Sequence, residues 1–284
     1  MEKSVDIWIS QAESHWLSFL STHAEKLFSQ TFLPSHDHTH HQRVWNICKN
    51  LLREISAMNV LLDEALVEGI LIAAWFHDLG MVQSAREDHG RLGRELCDQW
   101  FRENGQNRPG LYTEILNAIE LHDNKKELVY RAIQFNKRPG ILSILSIADD
   151  LEAFGSIGIY RYAEIYLMRN IGILELGTRI LENAEVRYEN LMQSCSACKN
   201  LVREYKAQYI ILRDFYQDYK LQLLREDRPE HVYTGPLGVI NYIRTLGMEE
   251  QIRPEYLSRN IAQEDVRVKN YFKTLSNELD HARL

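Results

Sequence analysis

The segment Gly69-Ile-Leu-Ile-Ala-Ala-Trp-Phe76 is apolar on every face and runs directly into His77-Asp78. A helix with no polar face belongs in the middle of a domain, so the chain must surround it. At 284 residues it is long enough to do so. The same helix would deliver an imidazole and a carboxylate into that interior. Burying them without compensation costs on the order of several kcal/mol, and the usual compensations are an ion pair or a metal. A metal fits better here. Gly80 follows closely and is expected to end the helix as a C-terminal glycine.

Elsewhere the apolar residues recur at helical spacing, and no segment alternates as a strand would. The expectation is an all-α fold. Helices are expected over Ser4–Ser29, Thr39–Ala57, Asp63–His77, Asp88–Asn104, Thr113–His122, Lys125–Asn136 and Ile141–Leu151. Others are expected over Tyr160–Arg169, Leu174–Gln193 and Ser196–Arg225. Breaks fall at Pro34, between Gly105 and Gly110, and at Pro139-Gly140. In the last helix Leu201, Tyr205, Tyr209, Leu212, Phe215, Tyr219 and Leu223 share one face, a packing stripe on the body or on a second copy of the chain.

Two further segments point polar groups inward. In His36-Asp-His-Thr-His-His-Gln-Arg-Val-Trp45, a helix from Thr39 sets His40 in line with Val44, Ile47 and Leu51. His41 heads the adjacent row with Trp45, Cys48 and Leu52, and periodicity alone does not choose between them. Ile141-Leu-Ser-Ile-Leu-Ser-Ile-Ala-Asp-Asp150 is nearly apolar and ends in carboxylates. Asp149 lies one turn beyond Leu145 and points inward, whereas Asp150 is expected to meet solvent or a basic residue. Three apolar helices thus each bring His or Asp to the interior. A shared divalent cation neutralises the carboxylates and takes the nitrogen lone pairs. Mixed imidazole and carboxylate ligands suit Mn, Fe, Co, Zn or Mg better than Ca.

The order His40, His77-Asp78, Asp149 resembles the HD-domain superfamily of metal-dependent phosphohydrolases, whose pattern is H, HD and D on a helical core. Longer strings agree. His36-Asp-x-x-His40-x-x-Arg43-Val44 is similar to the H-D-x-x-H-x-x-R-V of small bacterial HD hydrolases, and Ala148-Asp-Asp-Leu-Glu-Ala-Phe-Gly-Ser-Ile-Gly-Ile-Tyr-Arg161 to their A-D-x-L-(D/E)-A-x-G-x-x-G-I-x-R. Asp88-His89-Gly-Arg-Leu-Gly93 resembles the H-x-x-x-G segment of dinuclear members, and His122 occupies the later histidine position. The resemblance implies a metal set of His40, His77, Asp78, Asp149, His89 and His122. It holds two ions, or one with His89 and His122 lining the pocket.

The implied reaction is hydrolysis of a phosphoester or phosphoanhydride in a nucleotide or related small phosphorylated metabolite. Asp78 and Asp149 would orient water, and His122 would move a proton if it is not a ligand. Arg161, Lys125, Lys126, Arg86 and Arg91 are the candidates for holding phosphate. The strings of cyclic dinucleotide phosphodiesterases are missing after His122, where the chain reads Asp123-Asn-Lys-Lys. The Glu-Asp pair that follows HD in alarmone hydrolases is missing too, as is the signature of the large deoxynucleotide triphosphohydrolases. Two rival readings keep the ligands: a dinuclear iron oxygenase, and an HD domain used only for binding.

The net charge of -7 argues against broad nucleic-acid or anionic-membrane binding. No stretch is expected to span a membrane, and the N-terminal residues lack a secretory pattern. Cys48, Cys97, Cys195 and Cys198 form no disulfide framework and read as ordinary thiols. These features suggest a cytoplasmic protein. The expected organisation is an N-terminal helix over residues 1–35, an HD core over 36–161, and a helical extension over 162–284 that caps the pocket or forms a homo-oligomer contact.

Overall fold

The computed structural model describes residues 4–124, 138–261 and 265–281. Their regular elements are all helical, with no strand among the described residues. The expected helix over Lys125–Asn136 lies outside them, as do Lys125 and Lys126. By packing the chain divides into two units, one of residues 1–151 with 190–203, the other of 152–189 with 204–284. The core boundary expected at Arg161 therefore falls inside the second unit.

In the first unit, α1 (Val5–Ala12) and α2 (Ser18–Phe28) are joined by a π-helical turn over Glu13–Leu17. Trp16 in that turn is buried and donates from Nε1 to Glu68 at 2.7 Å. Then follow α3 (His38–Ala57), α4 (Glu64–Phe76), a 3-10 turn (Leu79–Val82), α5 (His89–Glu103), α6 (Tyr112–Leu121) and α7 (Ile141–Glu152). Two of these starts are capped by aspartate. Asp37 accepts from Thr39 N at 2.9 Å and Asp63 from Leu66 N at 2.7 Å, which satisfies amides that no helical carbonyl can reach.

Helix α4 is the axis of this unit, with every residue from Gly69 to Phe76 buried. One expectation needs correcting here. The stretch Glu64–Val82 does have the length and composition of a membrane span, yet 83% of it is buried inside the protein, as befits a core helix. Gly80 does not end α4 either. The helix stops at Phe76, His77 keeps right-handed helical angles, and Gly80 lies in the following 3-10 turn. Its lack of a side chain serves a close approach, since a β-carbon there would lie 2.0 Å from the carbonyl oxygen of His89.

The second unit contains α8 (Gly155–Met168), most of α9 (Ile173–Cys195) and of α10 (Lys199–Leu223), α11 (Gly235–Tyr242), α12 (Pro254–Asn260) and α13 (Val266–His281). Helix α8 begins five residues earlier than its apolar pattern suggests. Gly155 turns the chain with φ +70°, and Glu278 of α13 accepts from Ile157 N at 3.2 Å. A distant carboxylate thus caps this helix, which no local pattern foretells. On α10, Leu212, Tyr216 and Tyr219 are buried, and the Tyr216 hydroxyl donates to Ile159 O at 2.8 Å.

Candidate metal centre

Six side chains converge inside the first unit, and all six are buried. His40 comes from the first turn of α3, His77 and Asp78 from the end of α4, and Asp149 from the last turn of α7. His89 opens α5 and His122 follows α6. They form two groups that share Asp78: His40, His77, Asp78 and Asp149 in one, Asp78, His89 and His122 in the other. Asp78 serves both because its two oxygens diverge. Oδ2 lies 3.2 Å from His40 Nε2 and 3.5 Å from His77 Nε2. Oδ1 lies 3.1 Å from His122 Nε2 and 3.3 Å from His89 Nε2. Asp149 Oδ1 closes the first group at 3.7 Å from His40 Nε2 and 3.9 Å from His77 Nε2.

Backbone carbonyls fix the orientation of three rings. His77 Nδ1 meets Ala74 O at 2.9 Å, His89 Nδ1 meets Arg86 O at 2.7 Å, and His122 Nδ1 meets Ile119 O at 2.8 Å. A carbonyl only accepts, so each Nδ1 carries the hydrogen, and in the neutral ring Nε2 is left as a lone pair. The Nε2 atoms of His40 and His77 lie 3.1 Å apart and those of His89 and His122 3.3 Å apart. Lone pairs so close repel unless a proton or a cation lies among them. The chemistry of the set, imidazole nitrogens oriented by backbone carbonyls and two carboxylates, fits a divalent metal.

Electrostatics separate the two groups. Burial pushes the His77 imidazole down to about 4 against the pull of Asp78. Burial alone would also lower His122, but the hydrogen bond and charge of Asp78 prevail and raise it to about 9. Burial likewise opposes ionisation of Asp78. His77, the bonds from His122 and His40, and the charge of His89 outweigh it, so the carboxyl lies well below its usual range. The first group thus presents a bare nitrogen at neutral pH, whereas the second holds a proton on His122.

Of the other residues weighed in the sequence, Asp150, expected to meet solvent or a basic residue, is buried. Arg161 is buried in the second unit and ion-paired with Glu152. Arg86 is exposed, with its carbonyl holding His89. Arg91 is exposed and paired with Glu95 at 2.6 Å on its own helix. Both rows at the start of α3 proved to be inward. His41 is buried too, and its Nδ1 meets the same Ala74 carbonyl at 3.1 Å, so one acceptor ties α3 to the end of α4. Around it Arg43 donates to Thr39 Oγ1 at 2.9 Å, which donates to the capping Asp37 at 2.5 Å. The spaced Asp37 and Arg43 of the sequence string were the available signal for this support. All four cysteines are free and buried, and burial raises the thiol of Cys48, with the Asp149 charge adding to it. His15, His23 and His231 join no such cluster among the described residues.

A protein-family comparison agrees with this geometry: the model described as HD domain matches residues 38–153, which span α3 to the end of α7. No curated protein and no solved structure matches the chain.

Proposed function

The chain carries an HD domain over residues 38–153, of a superfamily of metal-dependent hydrolase type, and from that premise we propose that it hydrolyses a phosphoester or phosphoanhydride bond. The substrate would be a nucleotide or related small phosphorylated metabolite, and the centre would hold two divalent ions. One observation carries this reading. The two oxygens of Asp78 diverge toward separate histidine groups, His40 with His77 and His89 with His122, which is the arrangement a bridging carboxylate requires. Asp149 completes the first set.

Bound there, divalent ions would supply positive charge for the phosphoryl oxygens and acidify water. The chain's own residues do the rest. Asp78 and Asp149 present carboxylate oxygens that accept hydrogen bonds from an attacking water and fix its direction. The carbonyls of Ala74, Arg86 and Ile119 keep the three rings in one tautomer. His122 holds its proton at Nε2 against Asp78 Oδ1 and would have to release it to act as a ligand. Arg86 lies next to His89 on an exposed turn and is the described cation best placed to hold a phosphate, with Lys125 and Lys126 as further candidates.

The test is phosphorus-31 NMR of the purified protein with Mn2+, Mg2+, Co2+ or Fe2+ against pooled nucleoside mono-, di- and triphosphates and cyclic nucleotides. Metal-dependent release of a new phosphate signal, lost in Asp78→Ala, is the expected result. Oxygen uptake by the iron-loaded protein with no phosphate released would replace this reading by an oxygenase.

A further inference from the structure

The first turn of α5 is held by backbone against backbone on two sides. A β-carbon on Gly93 would lie 2.8 Å from Phe76 O and 3.0 Å from His77 O, so this side abuts the end of α4. One on Gly90 would lie 2.6 Å from Glu120 O and 3.1 Å from Ile119 O, so the other side abuts the end of α6. Carbonyl oxygens in a helix cannot rotate out of the way. Ile119 O is also the acceptor that orients His122, and Gly90 directly follows His89. One turn further along α5, Arg94 forms an ion pair with Glu120. The Gly90 contact and the Arg94 pair therefore fasten the same seam, and His89 and His122 stand on its two sides. None of the residues of this seam belongs to α3 or α7, which carry His40 and Asp149.

We propose that Gly90 and Arg94 are positioning residues for the second ion, setting the α5–α6 spacing on which the 3.3 Å approach of His89 to His122 depends. The assignment rests on the two-ion reading above. A close-packed interior has no slack for an added methyl against a carbonyl. Alanine at Gly90 displaces α5 from α6 and opens the His89–His122 pair. It leaves α3 and α7, which carry His40 and Asp149, in place. Removing the Arg94 side chain adds no atoms and loosens the same seam from the outside. A glycine present only for general packing would behave differently, lowering stability and affecting both ions or neither.

The experiment measures bound Mn2+ per chain by mass spectrometry and the two affinities by calorimetry, on the full chain. The wild type is compared with Gly90→Ala, Arg94→Ala and the control Gly110→Ala, where a β-carbon meets nothing within 4 Å. Expected are two ions in wild type and control, and one in Gly90→Ala. Arg94→Ala keeps both, the second about tenfold weaker and the first unchanged, the scale of an outer support of a metal ligand. Should Gly90→Ala fail to fold, Arg94→Ala decides alone, because its pair with Glu120 is partly exposed, 41% and 32%, and its loss strands no buried charge. Wild-type affinities in the variants that fold, or parallel loss of both ions, overturn the proposal. A single ion in the wild type overturns the two-ion reading itself and this assignment with it.

Discussion

The two groups that share Asp78 are built by different means. His40, His77 and Asp149 come from inward rows of long helices, where packing along α3, α4 and α7 fixes their direction. His89 and His122 come from the beginning of one helix and the turn after another, where glycines let backbone approach backbone. Their charge states differ as well: burial leaves His77 neutral down to about pH 4, while Asp78 keeps His122 protonated up to about 9. A metal entering the first group meets a ready acceptor. One entering the second must first displace a proton. The centre is thus asymmetric before any ion is bound.

The largest effect belongs to the residue common to both halves. Asp78→Ala removes a donor from each group and leaves four buried histidines with Asp149 as their remaining carboxylate. Both affinities should fall at least about 100-fold, beyond what loss of an outer support costs, and hydrolysis should fall with them. Calorimetry that still shows one ion at wild-type affinity would mean that Asp78 does not bridge the halves.

Acidity should separate the halves next. Because metal and proton compete for His122 Nε2, affinity of the second half should fall about tenfold for each pH unit below about 9, one proton being displaced per ion. In the first half His77 adds no such proton to displace over the same range, since burial holds it near 4. Stability of the metal-free protein moves the other way. The pKa of His122 is raised above its ordinary 6.5, so its pairing with Asp78 contributes fully below about pH 6.5 and is lost as pH rises through about 9. Melting curves should therefore show the metal-free protein weakening across this window while the gain from added Mn2+ grows. Parallel changes with and without metal would break the distinction between the halves.

The first half was legible in the sequence because apolar helices carry His77 and Asp149 into the interior, with the longer motif and not periodicity singling out His40 from His41. That signal weakens where a helix ends. His89 opens α5 ahead of any periodic row, so only the motif resemblance pointed to it and to His122, and its burial and 3.3 Å approach to His122 came from the fold. Gly80 shows the same limit: its place after His77-Asp78 suggested a helix stop, but its use is to admit the His89 carbonyl. Facing away from Leu145 did not mean facing solvent for Asp150, which is buried. The carboxylate of Glu278 capping α8 lies 121 residues away in the chain, a separation that no local pattern records.

Phosphate recognition gives the finest test of the asymmetry, through two arginines five residues apart. The Arg86 carbonyl holds His89 and its side chain is exposed, so a phosphate bound there would approach from the second half. Arg91 starts from the same turn of chain, yet its guanidinium is engaged by Glu95 at 2.6 Å and Asp88 at 3.6 Å on its own helix. Arg86→Ala should raise KM about tenfold with kcat little changed, the loss of one charge-assisted hydrogen bond to bound substrate. Arg91→Ala should leave KM and the melting temperature within error, since half-exposed pairs of this kind contribute little. The reverse ranking in steady-state kinetics would place the substrate along α5 instead of over its first turn, on the side of the helix that Glu95 and Asp88 now occupy.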